Sequence, residues 1–211
     1  MPVDTPLAEA WVREFASSVS AARDELTKLD QAIGDGDHGA NLSRGMTAAT
    51  DALAGDTPAD VLKLVGRTLI SKVGGASGPL YGTAFRETAK ALGDAGEVDD
   101  TTLAAALRAG LDGIVRLGKA EAGDKTMVDA WLPALAALDA AVGSGSSLAD
   151  ATAEAAKAAA AGTEATIPMQ ARKGRASYLG PRSVGHQDPG ATSSTMLFAA
   201  LAKVAAGQAA A

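Results

Sequence analysis

Asp30, Asp35 and Asp37 place three carboxylates within eight residues, and Gly34, Gly36 and Gly39 among them force a tight loop. Two like charges about 4 Å apart repel by roughly 4 kcal/mol at an effective dielectric near 20, so three converging aspartates need a cation or must turn away from one another. Hard oxygen ligands on a flexible loop suit magnesium or calcium, and a loop that leaves coordination positions open suits magnesium carrying a phosphate. A solvated Asp/Gly turn without metal is the alternative. Two other readings of the same letters fail. The glycines spell G-x-G-x-x-G, but a dinucleotide fingerprint follows a strand and presents bare backbone to pyrophosphate; here the preceding residues read as helix and the intervening ones carry carboxylates. An EF-hand needs a bidentate Glu at its twelfth loop position, and counting from Asp35 that position is Met46.

Three further stretches carry polar chemistry. Gly74-Gly75-Ala76-Ser77-Gly78-Pro79 leads into a helix at or near Pro79, leaving backbone N–H groups and the Ser77 hydroxyl free for an anion at the positive helix end. No Walker lysine follows, so it is no P-loop, and a plain glycine-rich turn is the alternative. Asp188-Pro189-Gly190-Ala191-Thr192-Ser193 is a second helix start, with Asp188 equally readable as a simple N-cap. Before it, Arg172, Lys173 and Arg175 form the densest positive cluster of the chain, a counter-charge for phosphate or a solvated turn. Lys119, Lys125 and Thr126 flank Gly123-Asp124, and Met127 then opens an apolar helix, as core or as a soft lid over a base. His38 and His186, the only histidines, have neither a nucleophile elbow nor the clustered His or Cys ligands that a zinc site usually takes. No catalytic side chain is assigned.

These loops must be positioned by a scaffold that the composition defines. With 211 residues, 47% hydrophobic and 3% aromatic, the chain suits one domain, spanning residues 1–211, with a core of alanine and leucine. Ala-rich stretches such as Leu103 to Leu107 and Leu148 to Ala161 read as closely packed helices. Trp11, Trp131, Phe85 and Phe198 fall in apolar helical segments and are expected in that core. A net charge of −6 supplies no basic field for nucleic acid. The absence of cysteine removes disulfides, thiolate metal sites and Cys nucleophiles. No run reaches the eighteen or so apolar residues of a membrane span, and Met1 to Ala10 lacks a signal pattern, so a cytoplasmic protein is expected.

Periodic apolar positions, caps and breakers predict eight helices and no strands, roughly at 6–29, 39–54, 58–73, 79–93, 101–119, 127–142, 147–169 and 190–207. Starts are signalled by Thr57-Pro58, by Ser146 or Ser147, and by Asp188-Pro189; stops fall at Gly55, Gly74-Gly75, Gly93 and Gly143. The short turns at Gly55 to Pro58, Gly93 to Thr101 and Gly143 to Ser147 need no function. The loops Asp30 to Asn41, Gly74 to Thr83, Gly118 to Met127 and Arg172 to Thr195 hold the chemistry. If neighbouring helices alternate in direction, the loops after helices one, three, five and seven share one end of the bundle. Those are the same four loops. One composite site at one end of an all-α, eight-helix antiparallel barrel or bundle is therefore expected.

Read together, Ile33-Gly34-Asp35-Gly36-Asp37-His38-Gly39, Gly74-Gly75-Ala76-Ser77-Gly78-Pro79-Leu80-Tyr81-Gly82-Thr83, Gly118-Lys119-Ala120-Glu121-Ala122-Gly123-Asp124-Lys125-Thr126-Met127, Met169-Gln170-Ala171-Arg172-Lys173-Gly174-Arg175-Ala176-Ser177-Tyr178-Leu179-Gly180 and Gly185-His186-Gln187-Asp188-Pro189-Gly190-Ala191-Thr192-Ser193 closely resemble the nucleotide-binding L-subunit family of bacterial dihydroxyacetone kinases. The resemblance covers essentially the whole chain, in order.

It implies an eight-helix barrel that holds ADP or ATP through two Mg²⁺ ions at its open end. By that likeness Asp30, Asp35 and Asp37 are the magnesium ligands, and His38, Gly39, Ala40, Asn41, Ala76, Ser77, Gly118, Met127, Arg175, Asp188, Pro189 and Gly190 contact the nucleotide. Gly36, where relatives carry alanine, is expected to be inconsequential. Three aspartates and a nucleotide of charge about −3 repel one another, and two Mg²⁺ cancel most of that charge. The resemblance further implies a phosphotransferase subunit that is inactive without its partner, a K subunit carrying the ketone, with ADP rephosphorylated by a phosphohistidine M protein drawing on phosphoenolpyruvate. An ATP-dependent subunit for another small ketose and a non-catalytic nucleotide-sensing module are the alternatives.

Overall fold

A computed structural model of the chain describes residues 2–209. Among the described residues nine α-helices follow one another: α1 (Thr5–Ala21), α2 (Arg23–Ile33), α3 (His38–Asp51), α4 (Pro58–Lys72), α5 (Ser77–Leu92), α6 (Asp100–Gly118), α7 (Val128–Gly143), α8 (Leu148–Ala165) and α9 (Pro189–Ala209). A 3-10 segment, Arg175–Ser183, lies between the last two. The predicted first helix is therefore two helices, separated at Ala22 (φ −94°, ψ 11°). Hydrogen bonds continue across the break, Ala22 N–H donating to Ser18 and Leu26 N–H to Ala22, so α1 and α2 form one interrupted stave. Counted so, there are eight staves, as expected. Each packs on its neighbours in the chain, and α9 returns against α1, closing the ring.

The expectation of no strands is corrected by a small antiparallel pair, β1 (Val3–Asp4) with β2 (Glu97–Val98), registered Val3 to Val98 and Asp4 to Glu97. Two residues per strand leave no alternation to read in a sequence. The pair fastens the start of the chain to the turn before α6.

Local chemistry sets the helix starts. Asp4, Thr57, Asp99 and Ser147 each accept, through a side-chain oxygen, the N–H three residues ahead, at 2.7–3.1 Å. Pro58 and Pro189 occupy first helical positions, where the missing N–H costs nothing. Stops are less regular. α3 ends at Asp51, before Gly55, and α8 ends at Ala165, before the predicted 169. In the second case the Thr166 hydroxyl turns back to the Thr163 carbonyl at 2.6 Å and Pro168 follows, so the helix cannot continue.

The barrel interior is apolar and close-packed. Trp11, Phe85, Trp131 and Phe198 are all at most 3% exposed, as expected. Trp131 meets Phe198 edge-on with ring centroids 5.0 Å apart. Small residues let staves approach closely: a Cβ on Gly66 of α4 would lie 2.7 Å from the Gly82 carbonyl of α5. Among the described residues no helix is long and apolar enough to cross a membrane.

Candidate functional site

Asp30 sits in the last turn of α2, almost buried, and organises the aspartate loop. Its Oδ2 accepts the backbone N–H of Asp37 at 2.8 Å and of His38 at 3.1 Å, capping α3 from outside and folding residues 34–37 back over α2. The turn depends on glycine twice. A Cβ on Gly34 would fall 2.2 Å from Asp30 Oδ1, and Gly36 adopts φ +74° with its Cβ position 2.5 Å from Gln31 Cγ. Gly36 thus has a conformational role that the sequence reading did not give it.

Folded this way, Asp30, Asp35 and Asp37 each offer a ligand oxygen within 4.8 Å of the others. Burial raises the Asp37 carboxyl above its ordinary range and the charge of Asp35 adds to this, while a hydrogen bond from Asn41 opposes it. Three hard oxygen donors in a self-repelling group fit a hard divalent cation such as magnesium. Arg175 supplies a counter-charge, its Nε 2.9 Å from Asp35 Oδ2.

Asp30 and Asp37 border a cleft at one end of the barrel. Asp30, Asp37 and His38 line it from the first loop, Gly75, Ala76 and Ser77 from the second, Lys125, Thr126 and Met127 from the third, and Lys173, Arg175, Asp188, Pro189 and Gly190 from the fourth. All four chemistry-bearing loops converge here. A second consequence follows from the same parity: α3, α5, α7 and α9 all begin at this cleft, so four positive helix ends surround it. At α5 no side chain caps the first turn.

Four positions implied by the resemblance, besides Asp35, are not among the lining residues. Gly39 is packed against α2, where a Cβ would lie 2.1 Å from the Arg23 carbonyl. Ala40 follows it in the first turn of α3. Asn41 is buried, accepts from Arg44 at 2.7 Å and lies beside Gly74. Gly118 stands behind Leu80, which itself faces the cleft.

Beneath the cleft lies a polar floor that joins His38 to Tyr81, Ser193 and Ser194, to which sequence reading gave no role. His38 Nε2 is 2.9 Å from Ser193 Oγ, and Tyr81 Oη is 2.7 Å from Ser193 Oγ and 3.1 Å from Ser194 Oγ. Trp131 Nε1 donates to Ser194 at 3.1 Å. Burial pushes the His38 pKa down, against the charge of Asp30, and pushes the Tyr81 hydroxyl up. A neutral imidazole and a neutral phenol are rigid hydrogen-bonding groups here. One signal pointed to Tyr81: it lies one helical turn beyond Ser77, on the same face.

Asp188 is an N-cap, its Oδ2 accepting Ala191 N–H at 2.7 Å, and its own N–H donates to Thr166 Oγ1 at 3.0 Å. Burial raises its pKa to about 7; the Ala191 N–H bond opposes, Asp129 adds, and Lys125 opposes.

The chain's relatives are consistent with this geometry. A family model described as the DAK2 domain matches residues 32–203. The chain is 46% identical over 204 residues to the ADP-binding subunit DhaL of PEP-dependent dihydroxyacetone kinase 1 from Listeria innocua, covering 95% of this chain and 97% of that one. It is 43% identical over 198 residues to the ADP-binding subunit DhaL of the PEP-dependent dihydroxyacetone kinase of Escherichia coli, covering 92% and 94%. The crystal structure of the dihydroxyacetone kinase from C. freundii in complex with AMP-PNP and Mg²⁺ superposes with a TM-score of 0.72 at 26% identity, over 96% of this chain and 34% of that longer one. A family match spanning residues 32–203 of the barrel, with near full-length relatives, means that this chain belongs to the DAK2-domain family of dihydroxyacetone kinase ADP-binding subunits.

Proposed function

We propose that this chain is the nucleotide-binding part of a dihydroxyacetone kinase, holding ADP or ATP with magnesium and presenting the terminal phosphoryl group to a ketone carried by a separate K-type subunit. The observation that carries this reading is one cleft in which three converging carboxylates face four helix N-termini and a guanidinium. Asp30, Asp35 and Asp37 are the residues that would hold the ions, two by resemblance, and bound magnesium would neutralise phosphate charge.

The chain's own groups divide the remaining work. The start of α5, at Ala76-Ser77, where no side chain caps the first turn, receives phosphate oxygens on backbone N–H groups, while the start of α9, at Pro189-Gly190, contributes its positive helix end. Arg175 and Lys173 add positive charge from the fourth loop. Ile33, Leu80 and Met127 supply apolar wall for the base. Phosphoryl transfer asks chiefly for positioning and charge neutralisation, and a site of this composition provides both on the nucleotide side. The cleft opens at the end of the barrel, so the K-type subunit docks over that end and excludes water. Rephosphorylation of bound ADP by an M-type phosphocarrier is the donor route that the PEP-dependent relatives suggest.

Reconstitution tests the reading. Dihydroxyacetone phosphorylation is measured with the chain alone, with K subunit plus ATP, and with K subunit plus M-type phosphocarrier and phosphoenolpyruvate. Turnover is expected in the last mixture and none with the chain alone. Ketone phosphorylation by the isolated chain refutes the half-enzyme reading; turnover with ATP only refutes the donor route.

A further inference from the structure

Lys125 is the one Lys or Arg side chain among the described residues that is buried, at 1% exposure. No carboxylate pairs with it directly. Its Nζ donates to backbone carbonyls of Thr166 at 2.7 Å, Met169 at 3.1 Å and Ile167 at 3.4 Å, and most closely to that of His186. An ammonium among carbonyls does what a small monovalent cation does: it converges backbone dipoles that would otherwise repel.

The four carbonyls come from two stretches of chain. Thr166 to Met169 leaves α8, and His186 precedes α9, so Lys125 grips both feet of the intervening segment. That segment carries Lys173 and Arg175 into the cleft, and Asp188 lies just past its second foot. Two backbone bonds tighten the same junction, Gly185 N–H to Ile167 at 2.8 Å and Arg172 N–H to Asp124 at 3.0 Å. Lys125 itself takes φ +62°, unusual for a residue with a side chain, and Thr126 and Met127 directly after it form cleft wall.

We propose that Lys125 is a positioning residue for the nucleotide: its caged ammonium pins both ends of the Arg175 segment and so sets the part of the cleft wall that this segment forms. This rests on the nucleotide-binding reading above and adds a residue to it. A buried lysine whose ammonium is hydrogen-bonded to carbonyls, with no carboxylate in direct contact, is costly to keep, and the segment it holds is the one that carries Lys173 and Arg175 to the cleft.

The test has two parts. In the wild-type protein, NMR of ¹⁵N-labelled lysine is expected to show one slowly exchanging ammonium, assigned by its loss in Lys125→Met; no such signal overturns the cage. Calorimetry with ADP·Mg²⁺ is expected to show affinity lowered at least about tenfold in Lys125→Met. Val65→Ala, a core truncation in α4, is expected to lower thermal stability while leaving affinity within about twofold. Adding n-propylammonium to Lys125→Ala restores the missing Cγ, Cδ, Cε and Nζ atoms and is expected to recover binding, whereas 1-propanol is not. Unchanged affinity in Lys125→Met, or equal rescue by the alcohol, overturns the proposal. If Lys125→Met does not fold, the rescue of Lys125→Ala and the wild-type ammonium signal decide. Absence of ADP·Mg²⁺ binding by the wild-type chain would refute the nucleotide reading instead, and amide exchange of residues 170–185 in wild type against Lys125→Ala would still read the pin.

Discussion

Arg175 Nε donates to Asp35 Oδ2 across 2.9 Å, so the guanidinium best placed for a phosphate is engaged by one of the three carboxylates that suit a cation. Both side chains are well exposed, and such pairs contribute roughly 0–1 kcal/mol to stability. The contact is therefore exchangeable. On the proposed reading, a cation on Asp35 would free Arg175 for a phosphate.

Arg175→Gln should reveal both halves of that exchange. Affinity for ADP·Mg²⁺ is expected to fall about 10- to 100-fold, the worth of one charge-assisted hydrogen bond of ~1.5–3 kcal/mol. Affinity for Mg²⁺ without nucleotide is expected to rise, because the competitor for Asp35 is gone. Two calorimetric titrations read these changes, and a fall in both would contradict the exchange.

Asp35→Ala or Asp37→Ala is expected to abolish nucleotide binding and leave helix content intact. Without ligand the variants should be as stable as wild type or slightly more so, since each removes one member of a self-repelling group. With ADP·Mg²⁺ at 100 times its dissociation constant, wild type should gain roughly 2.7 kcal/mol, lost on adding EDTA, and the variants nothing. Asp112→Asn, on the exposed face of α6, is a cleaner control than Asp139, which is ion-paired with Arg108. Equal thermal shifts in variant and wild type would remove the aspartates from the site.

The Asp188 pKa of about 7 has a sign that can be measured. Between about pH 4 and 7 the folded protein keeps a proton there that the unfolded chain has released, so this group makes stability fall as pH rises, by at most ~1.4 kcal/mol per pH unit. His38, with its pKa lowered, acts in the opposite direction. Asp188→Asn retains a capping oxygen and should remove only the falling component. Unfolding free energies of the ligand-free protein at pH 4.5, 5.5, 6.5 and 7.5 are expected to show the variant gaining on wild type at each step; parallel profiles would exclude a buried, proton-holding Asp188.

Beneath the cleft, Ser193→Ala should cost more than Tyr81→Phe. Removing the phenol leaves both serines donating to the Gly190 carbonyl, at 3.1 and 2.8 Å, and should cost about 1 kcal/mol. Removing the Ser193 hydroxyl strips His38 Nε2 of its partner inside a buried floor, and about 1–3 kcal/mol is expected. Urea denaturation ranks the two, and the reverse order would mean that water or a rearranged side chain satisfies His38.

Much of this molecule is legible in its amino-acid order, because the governing rules are local. Helix periodicity, Thr57 before Pro58, Ser147 before Leu148 and Asp188 before Pro189 act through neighbours three or four residues away. Alternation of helix direction then gathers the four glycine-rich loops at one end without further information. Asp30, Asp35 and Asp37 are likewise close in the chain, so their mutual repulsion is readable at once. Other features depend on partners far along the sequence. The Val3–Val98 pairing, the His38–Ser193–Tyr81 floor and the Lys125 cage each join segments that no local pattern connects. Gly118 and Asn41 illustrate the converse, since a position beside a site loop does not reveal whether the residue borders the cleft or the packing behind it. The break at Ala22 has no glycine or proline to announce it, and it arises where α2 must follow α3, α9 and the Arg175 segment rather than the axis of α1. Backbone and buried polar groups must all be satisfied once water is gone, and only the assembled barrel determines which distant atoms satisfy them.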